Sequence, residues 1–180
     1  MGSTYNKSNV NFSNKKYYSF RNKIFTKFSE RFHADMQIKF IANALLEGDT
    51  QPAVVLTKSP LVIAAYSDEM DAVVLLKFPD MFADKYNLSE GTRLTTANIY
   101  FRSVEGTIAD DIFVGKNFTK HYTDFVPIVQ LFLGKSDEKI IAKTGCFDSY
   151  TWDRVIEKAN NYLTEHPDAV CRDGFYYFKK

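Results

Sequence analysis

The side chains able to make or break covalent bonds are few and scattered along this chain: two cysteines, Cys146 and Cys171, and three histidines, His33, His121 and His166. A cysteine nucleophile needs a base to generate its thiolate and a third group to orient that base. Cys146, in Lys143-Thr144-Gly145-Cys146-Phe147, falls beside a glycine between predicted elements, with His121 and Asp124 upstream as base and orienter. Nothing in the spacing compels that arrangement, because triads are recognised by geometry and not by order in the chain. A small cysteine-dependent enzyme using Cys146 with His121 is therefore an alternative; the plainer reading is a small apolar residue filling space. Cys171 reads as a packing residue.

Metal and phosphate chemistry find less support. The histidines are isolated, and none forms an i, i+4 pair with another. Asp68, Glu69 and Asp71 crowd one turn, and Asp110 and Asp111 another, without the alternating acids and central glycine of a calcium loop. They read as a solvated hairpin tip and a solvated loop. Gly115-Lys116 is followed by Asn117, not Ser or Thr, and so does not make a P-loop. The expectation is no cofactor and no metal.

The elements that would have to position these groups come next. A chain of 180 residues with 45% hydrophobic content makes one domain, with or without an arm. Residues 1–16 read as a flexible basic tail, and 17–180 as a single domain opening on a helical segment, 17–47. Tyr17, Phe20, Ile24, Phe28 and Phe32 recur three or four apart, one stripe of a helix, with Lys23, Lys27 and Arg31 as an adjoining basic row. The period continues through Met36, Phe40, Ile41, Ala44 and Leu45 to a stop at Gly48, as one long helix or as two with a break near His33. Ala53–Thr57, Leu61–Tyr66 and Ala72–Phe78 are runs of Val, Ile and Leu that predict strands buried on both faces. The short turn between the last two makes that pair antiparallel. A helical turn over Asp80–Tyr86, a strand over Thr92–Phe101 and a long loop over Arg102–Lys120 follow. Helices are expected over Thr123–Leu133 and Tyr150–Thr164, a short strand over Lys139–Lys143, and a hairpin turning at Asp173-Gly174. The whole predicts an α+β fold: a mainly antiparallel sheet, an N-terminal amphipathic helix, two further helices and a C-terminal β-hairpin.

Charge is laid out unevenly. Residues 1–32 carry seven basic side chains against Glu30 alone, a local +6 that leaves −5 for the rest of a chain whose total is +1. Such asymmetry marks an interaction arm. The start of the chain lacks the apolar core of a secretory signal, which points to a cytoplasmic location. The lack of acids and the five serines in 1–29 also match an organelle-targeting segment, against which its many asparagines argue. These observations favour a non-enzymatic protein-interaction domain, by type an immunity or inhibitor protein, working through Lys23, Lys27 and Arg31 and through Asp68, Glu69, Asp71, Asp110 and Asp111. The other alternative is nucleic-acid or anionic-membrane binding through residues 1–32.

Overall fold

A computed structural model describes residues 5–179. The β-branched runs between residues 49 and 78 form three consecutive antiparallel strands, β1 (Asp49–Lys58), β2 (Leu61–Ser67) and β3 (Ala72–Phe78). Strand β4 (Arg93–Phe101) pairs with β1, β5 (Ile112–Val114) with β3, and β6 (Asp124–Val129) with β4, giving the order β5-β3-β2-β1-β4-β6. The fold is α+β around this curled antiparallel sheet.

Both faces of the sheet are covered, which is why its central strands read as continuous apolar runs. Ala53, Ile63, Ala65, Val74 and Leu76 face one core with α1 (Asn14–Ile24), α2 (Phe28–Glu47) and the C-terminal aromatics. Val54, Ala64, Tyr66, Val73 and Leu75 face the other, against Trp152, Val155, Ala159 and Tyr162 of α6 (Ser149–Glu165). The first core is dense in rings: Phe20 stacks on Phe175 and Tyr17 on Phe178, both with centroids 5.1 Å apart. The expected turn after Pro79 forms as α3 (Met81–Lys85) and puts Phe82 into the same cluster.

Five expectations are corrected. The segment 123–133 is an edge strand, β6, followed by one turn of helix, α4 (Gln130–Leu133). Pro127 is tolerated there because the outer side of an edge strand has no ladder bond to donate. Lys139–Lys143 is not a strand; it overlaps α5 (Asp137–Ala142), whose Asp137 and Glu138 favour the helix N-terminus. The C-terminal hairpin does not form. Instead β7 (Arg172–Asp173) pairs parallel with β3, the Asp173 carboxylate accepts the Phe175 N–H at 2.9 Å, and Tyr176–Phe178 makes a 3₁₀ turn that delivers Phe175 and Phe178 to the core. Gly174 serves close packing, since a Cβ there would lie 2.2 Å from the Phe78 ring.

The N-terminal segment is also tied down where a frayed tail was expected, as far as it is described. Ser8, Asn9 and Val10 donate their backbone N–H groups to Gly48, Leu46 and Leu45 at 2.7, 2.9 and 3.0 Å. These bonds satisfy carbonyls that the end of α2 leaves without intrahelical partners. Ser13 then caps α1, accepting from the Lys16 N–H at 3.3 Å. Residues 1–4 of the expected tail lie outside the described residues. Finally, the break in the N-terminal helices comes at Phe25–Lys27 and not near His33. The Arg31 guanidinium stitches that corner by donating to the carbonyls of Phe25 and Thr26 at 3.3 and 2.6 Å.

Candidate functional site

Two regions concentrate unusual side-chain environments: a groove at the β2–β3 end of the sheet, and the outward face of α2. The groove, about 700 Å³, is walled by Gln51, Asp68, Glu69 and Asp71 from the sheet and by Phe147, Tyr150 and Arg154 from α6 and its approach. Within it the Gln51 side-chain N–H₂ spans two carboxylates, donating to Asp49 Oδ2 at 2.7 Å and to Asp68 Oδ1 at 2.6 Å. Asp49 also accepts the Asn6 backbone N–H at 2.7 Å and the Tyr100 hydroxyl at 3.0 Å. Burial pushes the Asp49 carboxyl above the usual carboxylate range, more than these donors pull it down. Burial, then the neighbouring Asp49 charge, raises Asp68 as well.

A carboxyl with a raised pKa suits general acid catalysis only if it can reach a substrate. Asp49 is 1% exposed and both its oxygens are engaged. Asp68 lines the groove and is exposed, and Glu69 is half-buried, close to the solvated tip that was expected. Asp71 departs furthest from it. It is buried, with φ +47°, and its carboxylate ion-pairs with Arg154 and with Lys158 at 3.0 Å, accepting also from the Asn117 N–H at 3.1 Å. Burial alone would raise this carboxyl, but Lys158, Asn117 and Arg154 together hold it below its ordinary value. It is a structural joint between the β2–β3 turn, the loop after β5 and α6.

The Cys146–His121–Asp124 arrangement is not assembled. Cys146 is exposed at the end of a 3₁₀ turn, Lys143–Cys146, on the rim of a recess of about 340 Å³ that it shares with Asp68, Gln51 and Phe147. No histidine among the described residues lines that recess. His121 is exposed in the loop before β6, its ring edge-on to Tyr122 with centroids 4.6 Å apart. Asp124 is committed elsewhere, as is Asp111. The Arg172 guanidinium donates to Asp111 Oδ2 at 2.7 Å, Asp124 Oδ1 at 3.1 Å, and the Phe125 carbonyl and Tyr176 hydroxyl at 3.0 Å each, with a further bond to Asp111 Oδ1. All five guanidinium donors are thereby used. Asp110 is exposed beside this node. Among the described residues no group of three His, Cys, Asp or Glu side chains is placed to hold a metal ion.

In the second region the helical stripe expected from the spacing divides between core and solvent. Of the expected aromatic stripe, Tyr17 and Phe20 are buried, whereas Phe28 and Phe32 are 78% and 59% exposed. Met36 at 64% and Phe40 at 41% continue the exposed row along α2. The same helix buries Ala34, Ile41, Ala44 and Leu45 on the sheet side. It is thus apolar on two sides although only one is packed. The sequence signal that separates the two sets is the strict spacing of four in Phe28, Phe32, Met36 and Phe40, a ridge along the helix surface distinct from the inward set. Lys23 and Lys27 are exposed at the α1–α2 corner beside this row, while Arg31 is half-buried and holds the corner. The expected row of three basic side chains is therefore split between two helices.

No protein-family model, curated protein or solved structure matches this chain.

Proposed function

We propose that this protein is a non-enzymatic interaction domain whose binding surface is the outward face of α2 together with the basic α1–α2 corner. The observation that carries the reading is the exposed row Phe28, Phe32, Met36 and Phe40 on a helix already anchored by its opposite side. A helix apolar all round is ordinarily buried all round, and contiguous exposed apolar patches mark surfaces that meet something else. The arrangement of the polar groups supports the same conclusion from the other direction. Asp35, Asp71, Asp111 and Asp124 are engaged by internal arginines and lysines, so much of the acidity available to steer a basic partner is spent inside the fold. The binding energy would come from apolar contact at α2, and the orientation from Lys23 and Lys27.

The test is a protein carrying Phe28→Ser, Phe32→Ser, Met36→Ser and Phe40→Ser together. Because these side chains project outward, the variant folds with its urea midpoint nearly unchanged. It also binds less of a hydrophobic reporter dye in the native state and loses the interactions of the parent protein. A quadruple variant that retained every interaction of the parent would overturn the reading.

A further inference from the structure

Resting on that reading, we infer that the partner of the α2 face is an anionic lipid surface, on which the helix lies flat with its phenylalanines turned into the bilayer. No helix among the described residues is long and apolar enough to cross a membrane, so the mode is interfacial.

Three observations select this occupant. The first is the composition of the face. At 100° per residue, the arc centred on Phe28, Phe32, Met36 and Phe40 also contains Ser29, Lys39, Asn43 and Leu46, and no acid before Glu47. Glu47 itself is paired with Lys7 at 2.8 Å. The stripe from residue 28 to residue 43 is about 23 Å long at 1.5 Å per residue. It can sink about 5–10 Å into the boundary between headgroups and acyl chains without burying a negative charge.

The second is the surrounding charge. Residues 14–46 contain Lys15, Lys16, Arg21, Lys23, Lys27, Arg31 and Lys39 against Glu30 and Asp35, a net +5. Asp35 is consumed by Arg21 and by the Tyr17 hydroxyl, 2.8 Å away. Lys15, Lys23, Lys27 and Lys39 are exposed. Lysines flanking exposed phenylalanines fit a surface that offers negative headgroups above an apolar interior. The third is the grading of exposure: Phe28, at the corner with Lys23 and Lys27, is the most exposed side chain of the row and Phe40 the least. The corner would enter first.

A second copy of the chain fits less well. Pairing α2 with itself would bring the exposed Lys23, Lys27 and Lys39 of one copy toward those of the other. The four side chains, each of roughly 200 Å² and about 60% exposed, would contribute only about 1,000 Å² across both copies, below what standard stable interfaces bury. Nucleic acid offers the charge without an apolar interior.

The experiment is flotation of the full chain with vesicles of phosphatidylcholine alone and of phosphatidylcholine with phosphatidylserine, at low and high salt. Sedimentation equilibrium of the same samples without lipid accompanies it. The expected result is flotation with the phosphatidylserine vesicles only, weakened at least tenfold by high salt. Phe28→Ser/Phe32→Ser/Met36→Ser, or Lys23→Glu/Lys27→Glu, should each weaken it at least tenfold while far-UV circular dichroism stays unchanged. Failure to float with phosphatidylserine vesicles overturns the inference, as does flotation that the serine substitutions leave intact. If flotation fails but the serine substitutions break a self-association or remove a bound acidic protein, the α2 face remains the binding surface and only its lipid partner is refuted. If the substitutions alter none of these properties, the proposed function falls too.

Discussion

Replacing Asp71 tests the claim that the β2–β3 turn, the loop after β5 and α6 are locked by one carboxylate. Its side chain is 4% exposed and faces Lys158, itself 12% exposed, and Arg154, 26% exposed. Asp71→Asn keeps the shape and tolerates the left-handed backbone, but leaves two cations facing each other with no counter-charge. Removing one member of a buried pair costs about 3–5 kcal/mol. Because Arg154 can turn toward water, about 3 kcal/mol is expected for Asp71→Asn. Asp71→Ala should cost about 1 kcal/mol more, since alanine is also strained at positive φ. Urea unfolding followed by circular dichroism should show a lower midpoint with an unchanged slope. Lys158→Met alone should cost less, and the Asp71→Asn/Lys158→Met pair should cost less than the two singles added. The pH dependence has a fixed sign. The folded carboxyl is held below its ordinary value, so its contribution is fully present above the unfolded pKa of about 3.9. It disappears as pH falls from there through the lower folded value, and the gap between parent and Asp71→Asn should close over that range. An Asp71→Asn protein within about 1 kcal/mol of the parent at neutral pH would refute the joint, because an isolated surface ion pair would lose no more than that.

The opposite sign is expected at Asp49 and Asp68, whose folded carboxyls sit above the ordinary range. Their protonated forms favour folding below about pH 3.9, and that advantage is lost as pH rises through the raised values. Carbon-detected NMR titration should show Asp68 moving part of the way down toward the ordinary range in Asp49→Asn, and an unmoved Asp68 would mean that the Asp49 charge does not contribute to its raised value. Arg172→Lys keeps the charge but not the five-donor fork, and should lower stability by about 3 kcal/mol, read as a fall in the urea midpoint. A change under about 0.5 kcal/mol would mean that Asp111 and Asp124 are solvated. On the two faces of the N-terminal helices the outcomes should diverge: Phe20→Ala costs about 3–5 kcal/mol, whereas Phe32→Ala stays within about 0.5 kcal/mol. Equal losses in thermal unfolding would contradict the assignment of inward and outward rings.

Most of the sheet was legible because its physics is local. The strands near residues 53–57, 61–66 and 72–78 announce themselves through consecutive β-branched residues, and the four-residue turn between Ser67 and Ala72 dictates antiparallel pairing. The same holds for α6, whose inward Trp152, Val155, Ala159 and Tyr162 follow the helical period. What failed depends on distant partners. In segment 123–133 the spacing of Phe125, Ile128 and Phe132 suits a helix, and only the pairing of β6 with β4 makes it a strand. In Lys139–Lys143 a buried Ile140 beside an exposed Ile141 is equally consistent with alternation or with one helical turn. Asp173-Gly174 carries a hairpin's local chemistry, but the rings after it are worth more in the aromatic core than in a ladder.

The site was less legible for a different reason. Periodicity reports that a helix has an apolar side; it does not report that the side is in surplus. From Phe28 to Leu45 the chain carries two apolar sets, and a sequence reading merges them into one generous core face. They separate only when the sheet's capacity is counted: Ala34, Ile41, Ala44 and Leu45 already complete the packing of α2. No room is left for Phe28, Phe32, Met36 and Phe40, which folding leaves in water. The charge asymmetry was visible in the sequence, yet its two halves end differently. Several acids of the body turn inward to Arg154, Lys158 and Arg172, whereas the lysines near α2 stay in solvent beside exposed rings. The lipid surface proposed as partner follows from that difference: the lysines left in solvent are the charges still able to meet negative headgroups.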